Sequence, residues 1–505
     1  MLLGPREVYL DHNATTPVAR EVQKAMESAL EATFGNPSSL HTHGRRARGL
    51  VEAARFEVAS LLSCRVDQVV FTSGGTEGNN AVLKGVFLAS RERFGRNGHI
   101  VTSRIEHDSV LGACKQIEAL GGRVTYVPAG RDGLVRPVDI EAALAPDTVL
   151  VSIMHANNET GAVQPITEIS RICKGRGIPF HTDAVQSYGK IPTLVEELGC
   201  DFLTLTAHKI YGPKGVGAIF VRGTVPFFPL LAGGDQEGGL RTGTEGVHQI
   251  VGLGEAARLA KHLMHTEHER LSTLRRDFLE LLKTTLPGVL VHESPAHAQL
   301  PGTLSLVFPG VEGLRLLAGL DCWEISVSIG SACTADRVEP SHVLLGMGID
   351  VAEALSTIRL SLGRKTTARE LRYVVEVLQK ITRDSPLGLS YLDPQHLDEA
   401  RILSPKTFLV DLRMPHERWL SPSIPGAKEW SVLGFDKNIP DVPRDSEAIL
   451  MCGTGIVSFT AGYRLANAGH PNVRVVYGGY SAWRGRYPGM LEHLIGNKPS
   501  AARSG

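Results

Sequence analysis

A polar turn with one lysine, enclosed by two apolar runs, is the feature that most limits how this chain can fold. The turn covers 206–217 (TAHKIYGPKGVG), and the apolar runs cover 201–205 and 216–221. This pattern predicts two short buried strands joined by a Gly/Pro-rich turn. Lys209 then lies at the end of a buried strand, where burial disfavours the ammonium form and leaves the amine nucleophilic. An ordinary surface lysine is the alternative, and the rest of the chain decides between the two.

Length, charge and cysteine spacing exclude several classes of protein. A chain of 505 residues predicts two to four domains. The formal net charge is zero and there is no basic stripe, so we expect no direct nucleic-acid binding. No apolar stretch is long enough for a membrane span, and the N-terminus does not resemble a signal peptide, which predicts a cytoplasmic protein. The seven cysteines show no paired spacing, so we expect free thiols and no metal site.

A glycine turn early in the chain is typical of an anion site. An apolar strand at 68–72 leads into Ser73-Gly-Gly-Thr76, and a helix is predicted from Glu77 to about Ser90. Free amides and the dipole at a helix start favour a phosphate. We therefore interpret Gly75 and Thr76 as part of a phosphate cup.

Other polar residues follow predicted strands, and strands that alternate with helices form a largely parallel sheet. Because such strands end at one edge, we expect these side chains to meet Lys209 there. Asp183 could pair with a pyridinium nitrogen, and Gln186 could donate to a phenolic oxygen, as pyridoxal phosphate (PLP) requires. His107 could stack on the ring or move protons, although a helix cap or a turn histidine is the commoner role for an isolated Asp or His. Asn158 also follows a strand.

Two further residues suit chemistry on an amino acid. Cys333 follows the small residues Gly330, Ser331 and Ala332, which leaves room for a thiol on a movable segment. Arg359 lies in a short predicted strand and could clamp a substrate carboxylate.

The C-terminal part of the chain reads as a separate unit. A linker is predicted at 386–400, followed by a compact unit of roughly 100 residues at 401–495 and a tail at 496–505. A strand at 448–451 delivers Cys452 into a short glycine loop before a helix. A loop of backbone amides around the sulfur suits a thiolate or a persulfide.

These motifs resemble two families joined in one chain. Residues 1–385 resemble a PLP-dependent cysteine desulfurase of the iron–sulfur-cluster and nitrogenase-maturation class, and residues 401–495 resemble a rhodanese domain. The desulfurase motifs are YLDHNATTP (9–17), TSGGTE (72–77), EH (106–107), NNETG (157–161), TDAVQ (182–186), AHK (207–209), GPKG (212–215), LRTGT (240–244), GSAC (330–333) and EPSH (339–342). The rhodanese motifs are VDLR (410–413), PHE (415–417), IPGA (424–427), the Cys452 loop and GGYSAW (478–483).

The resemblance implies a fold and a set of roles. It implies an α/β protein: a PLP fold-type I (aspartate-aminotransferase-like) large domain with a mostly parallel sheet, a small α+β domain, and an α/β rhodanese domain. A homodimer is implied, in which Thr244 reaches the phosphate of the neighbouring subunit. The other implied roles are covalent PLP attachment and proton transfer for Lys209, ring stacking for His107, ring-nitrogen pairing for Asp183, phenolic-oxygen contact for Gln186, phosphate binding for Thr76, Thr206 and His208, and substrate-carboxylate binding for Asn158 and Arg359.

The sequence therefore predicts a desulfurase that converts L-cysteine to L-alanine, with a persulfide on Cys333 and a relay to Cys452. The final acceptor stays open among an iron–sulfur scaffold, a tRNA-thiolation enzyme and a molybdopterin pathway. One alternative is that the rhodanese-like unit is a non-catalytic docking module. Another is that the N-terminal domain is a selenocysteine lyase or an aminotransferase. Val457 stands where rhodanese loops usually carry an arginine, which argues against thiosulfate as a substrate. Gly238 stands where related desulfurases often carry arginine.

Overall fold

The computed structural model describes residues 7–95, 97–223, 225–330, 340–383, 388–430, 441–453 and 455–496. Cys333 lies outside the described residues, as do the first two residues of the predicted linker and all but the first residue of the predicted tail.

The strands alternate with helices through most of the first 220 residues. They are β1 (Val8–Tyr9), β2 (Val69–Thr72), β3 (His99–Ser103), β4 (Arg123–Val127), β5 (Thr148–Ser152), β6 (Phe180–Asp183), β7 (Phe202–Thr206), β8 (Gly217–Val221), β9 (Leu290–His292), β10 (Thr303–Val307), β11 (Ile325–Ser326), β12 (Thr357–Ser361), β13 (Leu389–Leu392), β14 (Thr407–Asp411), β15 (Lys428–Glu429), β16 (Glu447–Met451) and β17 (Val473–Val476).

The helices differ widely in length. They are α1 (Arg20–Ala32), α2 (Thr42–Leu62), α3 (Gly75–Phe94), α4 (Asp108–Ala119), α5 (Pro137–Ala143), α6 (Ile166–Gly175), α7 (Val195–Leu198), α8 (Val247–Thr285), α9 (Gly313–Asp321), α10 (His342–Gly346), α11 (Val351–Leu355), α12 (Ala368–Arg383), α13 (Glu399–Ile402), α14 (Pro415–Leu420), α15 (Ile456–Asn467), α16 (Gly479–Arg486) and α17 (Met490–Gly496).

The large sheet carries seven strands of the described chain in the order β2-β8-β7-β6-β5-β3-β4. Strand β8 is antiparallel to both its neighbours, and the remaining pairs are parallel, which confirms the predicted mostly parallel sheet. Every residue of β7 and β8 is buried, because helices cover both faces of the sheet. The parallel strands β5, β6 and β7 consequently end side by side at one edge.

A smaller α+β part is built on the antiparallel sheet β12-β10-β9. Helix α12 packs on it with Val374, Val377, Leu378 and Ile381, which recur at helical spacing and are all buried. Strand β12 carries Arg359 from this part towards the large sheet, so the site is assembled between the two parts.

The C-terminal part is a five-stranded parallel sheet of the described residues, in the order β13-β17-β16-β14-β15. Its edge strand β13 lies inside the predicted linker and pairs Leu389 with Val473. Flanking prolines at 386 and 394 gave this stretch the appearance of a linker, yet an edge position tolerates prolines at its ends. The domain boundaries themselves stay predictions.

The C-terminal part packs directly against the α+β part. Leu314 and Ala318 of α9 share one buried apolar cluster with Phe459 and Tyr463 of α15. Ile329 packs against the same cluster. Helix α15 starts four residues after Cys452, so this contact fixes the position of the Cys452 loop.

Among the described residues, no helix has the length and apolar character needed to cross a membrane.

Candidate active site

Lys209 ends a short 3-10 turn, Ala207–Lys209, directly after the buried strand β7. Its Nζ atom donates to the backbone carbonyls of Asn13 and Ala14, both at 2.6 Å. The two strands around the turn lie where the two apolar runs predicted them. Strand β7 therefore delivers an amine to the carboxyl edge of the sheet.

A cavity of about 320 Å³ opens at this edge. It brings together residues from distant parts of the sequence, as expected for the ends of parallel strands. The predicted site residues that line it are Gly75, Thr76, His107, Asn158, Asp183, Gln186, Thr206, His208, Lys209 and Arg359.

The start of α3 forms one wall of the cavity. Gly74 precedes the helix with φ 152°, and a Cβ atom on Gly75 would lie 2.8 Å from Cγ2 of Val185. Gly74 thus has a φ that favours glycine, and Gly75 lets the start of α3 pack closely against Val185. The hydroxyl of Thr76 and the helix dipole add to an anion site.

His208 and Thr206 lie beside this anion site. Nδ1 of His208 is 3.2 Å from Oγ1 of Thr15, and Oγ1 of Thr206 donates to the carbonyl of Val216. Burial, together with the charges of Lys209 and Lys214, lowers the pKa of His208 to about 4. The imidazole is therefore neutral near pH 7 and can act as a hydrogen-bond donor through Nε2 when Nδ1 accepts.

Asp183 ends β6 and is held by two hydrogen bonds. Its Oδ1 accepts from the backbone N of Val185 at 2.9 Å, and its Oδ2 accepts from Nδ2 of Asn79 at 2.6 Å. Nδ2 of Asn79 also donates to Oγ of Ser109. These donors fix the orientation of the carboxylate. The sequence analysis missed Asn79, although it follows Thr76 by three residues on the same helix face.

His107 begins α4 as its capping residue. Its Nδ1 accepts from the backbone N of Ser109 at 3.1 Å and lies 2.8 Å from Oγ of that residue. This pattern places the proton on Nε2 of a neutral ring and fixes the ring plane. His107 can therefore stack on a planar ligand in the cavity.

Arg359 is buried and lies on the opposite wall. Its Nη2 is 2.7 Å from Oδ1 of Asp11, and its Nη1 donates to the carbonyl of Asn158 at 3.2 Å. Within the described residues, Nε of Arg359 has no hydrogen-bond partner. A buried guanidinium with an unused donor suits a carboxylate ligand.

These residues fit PLP in chemical type. A helix start with two glycines suits its phosphate, an oriented carboxylate suits its pyridinium nitrogen, and an amine suits its aldehyde. The guanidinium of Arg359, which lines the cavity, suits an amino-acid carboxylate.

Two predicted residues lie elsewhere. Thr244 is exposed and is not among the residues that line the cavity. Cys452 lies in the C-terminal part, only 4% exposed, at the end of β16. Cys333 lies outside the described residues.

The Cys452 loop surrounds the sulfur with donors. The backbone N–H groups of Gly455 and Ser458 donate to Sγ at 3.1 and 3.4 Å, and Oγ of Ser458 is also 3.4 Å away. The side chain of Val457 is 41% exposed beside this cradle. The loop can stabilise an anionic sulfur through amides and the start of α15.

Comparison with known proteins identifies relatives for both parts. The aminotransferase class-V family profile matches residues 8–374, and the rhodanese-like domain profile matches residues 394–486. The chain is 46% identical over 376 residues to a cysteine desulfurase IscS of Dictyoglomus turgidum, across 74% of this chain and 94% of that protein. It is 43% identical over 381 residues to a cysteine desulfurase of Homo sapiens, across 74% of this chain and 82% of that protein.

A solved structure also matches. A NifS-like protein aligns with a TM-score of 0.69 and 37% identity, over 75% of this chain and 99% of that chain. The match agrees with the fold-type I architecture predicted from the sequence.

Proposed function

Because the chain belongs to the aminotransferase class-V family, as a PLP-dependent cysteine desulfurase with a C-terminal rhodanese-like domain, we propose that it relays sulfur from L-cysteine through Cys333 to Cys452. PLP, when bound, withdraws electrons from the substrate Cα and so makes its proton acidic. The observation that supports the relay is the apolar cluster of α9 and α15 against which Ile329 packs, because Ile329 precedes Cys333 by four residues and α15 follows the Cys452 loop.

In the first half of the reaction, the cavity residues bind and orient the substrate. Lys209 would hold the cofactor through its Nζ atom, and the same amine would move the Cα proton. Asp183, oriented by Asn79, pairs with the ring nitrogen. Arg359 and Asn158 hold the substrate carboxylate, with Asp11 fixing one edge of the guanidinium.

Cys333 then takes the sulfur. Its thiolate attacks the substrate sulfur, an S–S bond forms, and the C–S bond breaks with its electron pair on carbon. Protonation of that carbon gives alanine, and Cys333 is left as a persulfide. A soft thiolate suits this step because it attacks divalent sulfur readily.

Cys452 takes the sulfur next. Its thiolate attacks the outer sulfur of the Cys333 persulfide, and the Cys333 thiolate leaves, so the step needs no oxidant or reductant. The Gly455 and Ser458 amides stabilise the anionic sulfur on Cys452. Cys333 is the fourth residue after Ile329, which corresponds to at most about 14 Å of extended chain. Transfer within one subunit is therefore part of the proposal.

The remaining roles follow the family pattern. We propose a cytoplasmic homodimer as the functional unit, and the exposure of Thr244 is compatible with a contact to the phosphate in a neighbouring subunit. Val457 and the amide cradle favour a protein persulfide over thiosulfate as the donor. The final acceptor is a protein, either an iron–sulfur scaffold or a sulfur carrier.

Delivery of sulfur to an added acceptor thiol tests the relay. We expect Cys452→Ala to form alanine at the wild-type rate while delivery falls at least about tenfold, whereas Cys64→Ala, which removes a partly exposed thiol without such a cradle, changes neither. Unchanged delivery by Cys452→Ala to each acceptor would contradict the relay and favour a docking role for the rhodanese-like domain.

A further inference from the structure

Lys190, Gln186 and Asn13 form a closed ring of hydrogen bonds at the cofactor cavity, and Lys209 joins this ring at Asn13. Nζ of Lys190 donates to Oε1 of Gln186 at 2.9 Å and to Oδ1 of Asn13 at 3.3 Å. Nε2 of Gln186 donates to the backbone carbonyl of Asn13 at 2.9 Å. The same carbonyl accepts from Nζ of Lys209 at 2.6 Å. Asn13 therefore connects both lysines and Gln186.

The side chain of Asn13 can take only one orientation in this ring. Its Nδ2 donates to the carbonyl of Asn158 at 3.1 Å and to Oγ1 of Thr303 at 2.9 Å. Both of its N–H groups are thus used, and its Oδ1 must face Lys190. A flipped amide would place an N–H group against the Lys190 amine.

Lys190 fixes the amide of Gln186 by the same reasoning. An amine that donates to two amide oxygens holds Oε1 of Gln186 on its own side, so Nε2 points to the other side. One N–H of Nε2 goes to the Asn13 carbonyl. The second N–H is left for a ligand in the cavity, which Gln186 lines.

Lys190 itself does not line the cofactor cavity. It lines a neighbouring cavity of about 60 Å³, which Asn13 and Lys209 separate from the first. Burial, together with the charges of Lys209 and Arg359, lowers the pKa of Lys190 to about 7. Any effect of Lys190 on the cofactor must therefore pass through its neighbours.

We infer that Lys190 is a positioning residue, which holds the Gln186 amide so that its free N–H faces the phenolic oxygen of bound PLP. This inference rests on the proposed role of Gln186 in contacting that oxygen. A hydrogen-bond donor at the phenolic oxygen stabilises the anionic form of that oxygen. It therefore lowers the affinity of the oxygen for a proton. Loss of Lys190 removes the donor that holds Oε1, so the hydrogen bond from Nε2 to the Asn13 carbonyl is left to orient the amide, and the free N–H is held less firmly towards the ligand.

The test is a pH titration of the absorbance of bound PLP in five forms of the holoenzyme: wild type, Lys190→Met, Lys190→Arg, Gln186→Leu and Lys190→Met/Gln186→Leu. The amount of bound PLP per subunit is first measured for each form. We expect Lys190→Met to raise the titration midpoint by about one pH unit, the size of one hydrogen bond to a charged group. Lys190→Arg retains the donors and titrates close to wild type. In the Gln186→Leu background, Lys190→Met adds no further shift.

Two outcomes overturn the inference. One is a Lys190→Met midpoint equal to that of wild type at full PLP content. The other is a Lys190→Met shift that persists undiminished in Gln186→Leu, because it would assign the effect to the charge of Lys190 rather than to the amide. A wild-type chain that binds no PLP would instead contradict the proposed function, so the two failures are distinct.

Discussion

Arg464 of α15 donates to Asp321 of α9, with Nη2 2.8 Å from Oδ2 and 3.4 Å from the backbone carbonyl. This contact borders the apolar cluster of Leu314, Ala318 and Phe459. Two kinds of interaction thus hold the rhodanese-like domain on the desulfurase domain through one pair of helices. Because α15 starts in the Cys452 loop, this docking governs where the sulfur of Cys452 lies.

Charge reversal at this contact is expected to weaken the relay. Arg464→Glu places two carboxylates together, and a partly exposed ion pair is worth about 1 kcal/mol or less. We therefore expect a reduction of a few-fold in the sulfur that reaches Cys452, with alanine formation unchanged. The measurement is the fraction of Cys452 modified after a fixed number of turnovers.

The matched control is the exchanged pair. Asp321→Arg combined with Arg464→Glu restores the attraction and should recover most of the transfer. Full transfer in Arg464→Glu alone would mean that the docking seen here does not limit the relay.

Gly75 at the start of α3 is expected to tolerate no larger residue. In Gly75→Ala, the new Cβ lies 2.8 Å from Cγ2 of Val185, so the helix start must shift. Such overpacking costs about 1–3 kcal/mol, which corresponds to an affinity for PLP reduced about 5-fold to 150-fold. Equilibrium binding of PLP to the apoprotein measures this, and Val185→Ala in the same chain should recover part of the affinity. If Val185→Ala recovered none of the PLP affinity, contact with Val185 would not be the cause of the loss in Gly75→Ala.

Asn79 is expected to strengthen PLP binding because it orients the carboxylate of Asp183. Asn79→Ala removes a 2.6 Å hydrogen bond to the carboxylate, worth about 1.5–3 kcal/mol for a charged partner. We expect PLP to bind at least about tenfold more weakly. Asn80→Ala is the control, because this neighbouring residue donates to the carbonyls of Thr76 and Ser109 and not to Asp183. Equal losses in the two variants would contradict the assignment.

Stability should fall in mild acid because buried histidines stay neutral in the native state. Burial lowers the pKa of His181 to about 3 and that of His155 to about 4. Below about pH 6.5 the unfolded chain binds a proton on each histidine and the native chain does not, so acid favours unfolding. Each histidine can lower the free energy of unfolding by up to about 1.4 kcal/mol for each pH unit between pH 6.5 and its native pKa.

Urea unfolding of the apoprotein between pH 4.5 and 7 measures this dependence. His181 bridges Ser152 and Thr204 as a neutral ring. His181→Gln should retain one of these hydrogen bonds and reduce the slope of the free energy of unfolding against pH. A slope identical to that of wild type would show that His181 does not titrate on unfolding.

The site residues that could be predicted from the sequence are those next to a recognisable strand pattern. Lys209, Asp183 and Thr76 follow short buried strands, and the polar residues after such strands must meet at one sheet edge. The family resemblance added the roles and the two-domain organisation. The roles of the individual residues, the homodimer and Cys333 stay predictions.

Residues that act through tertiary contacts had no local signal. Asn13, Asn79 and Lys190 gain their meaning only from partners 177, 104 and 4 residues away in the chain. Strand β13 was hidden because its pairing partner, β17, lies about 80 residues further on.

Gly238 gains a physical explanation from the structure. Its φ is 66°, and a Cβ there would have open space. An arginine in its place would therefore cost about 1–2 kcal/mol of backbone strain without a clash.

Mapping of the sulfur after a short incubation with L-cysteine tests the relay most directly. The protein is weighed intact, digested, and analysed by mass spectrometry in wild type, Cys333→Ala and Cys452→Ala. The account predicts added sulfur on Cys333 and Cys452 in wild type, on Cys333 alone in Cys452→Ala, and none on Cys452 in Cys333→Ala. Sulfur confined to Cys333 in wild type, or present on Cys452 without Cys333, would contradict it.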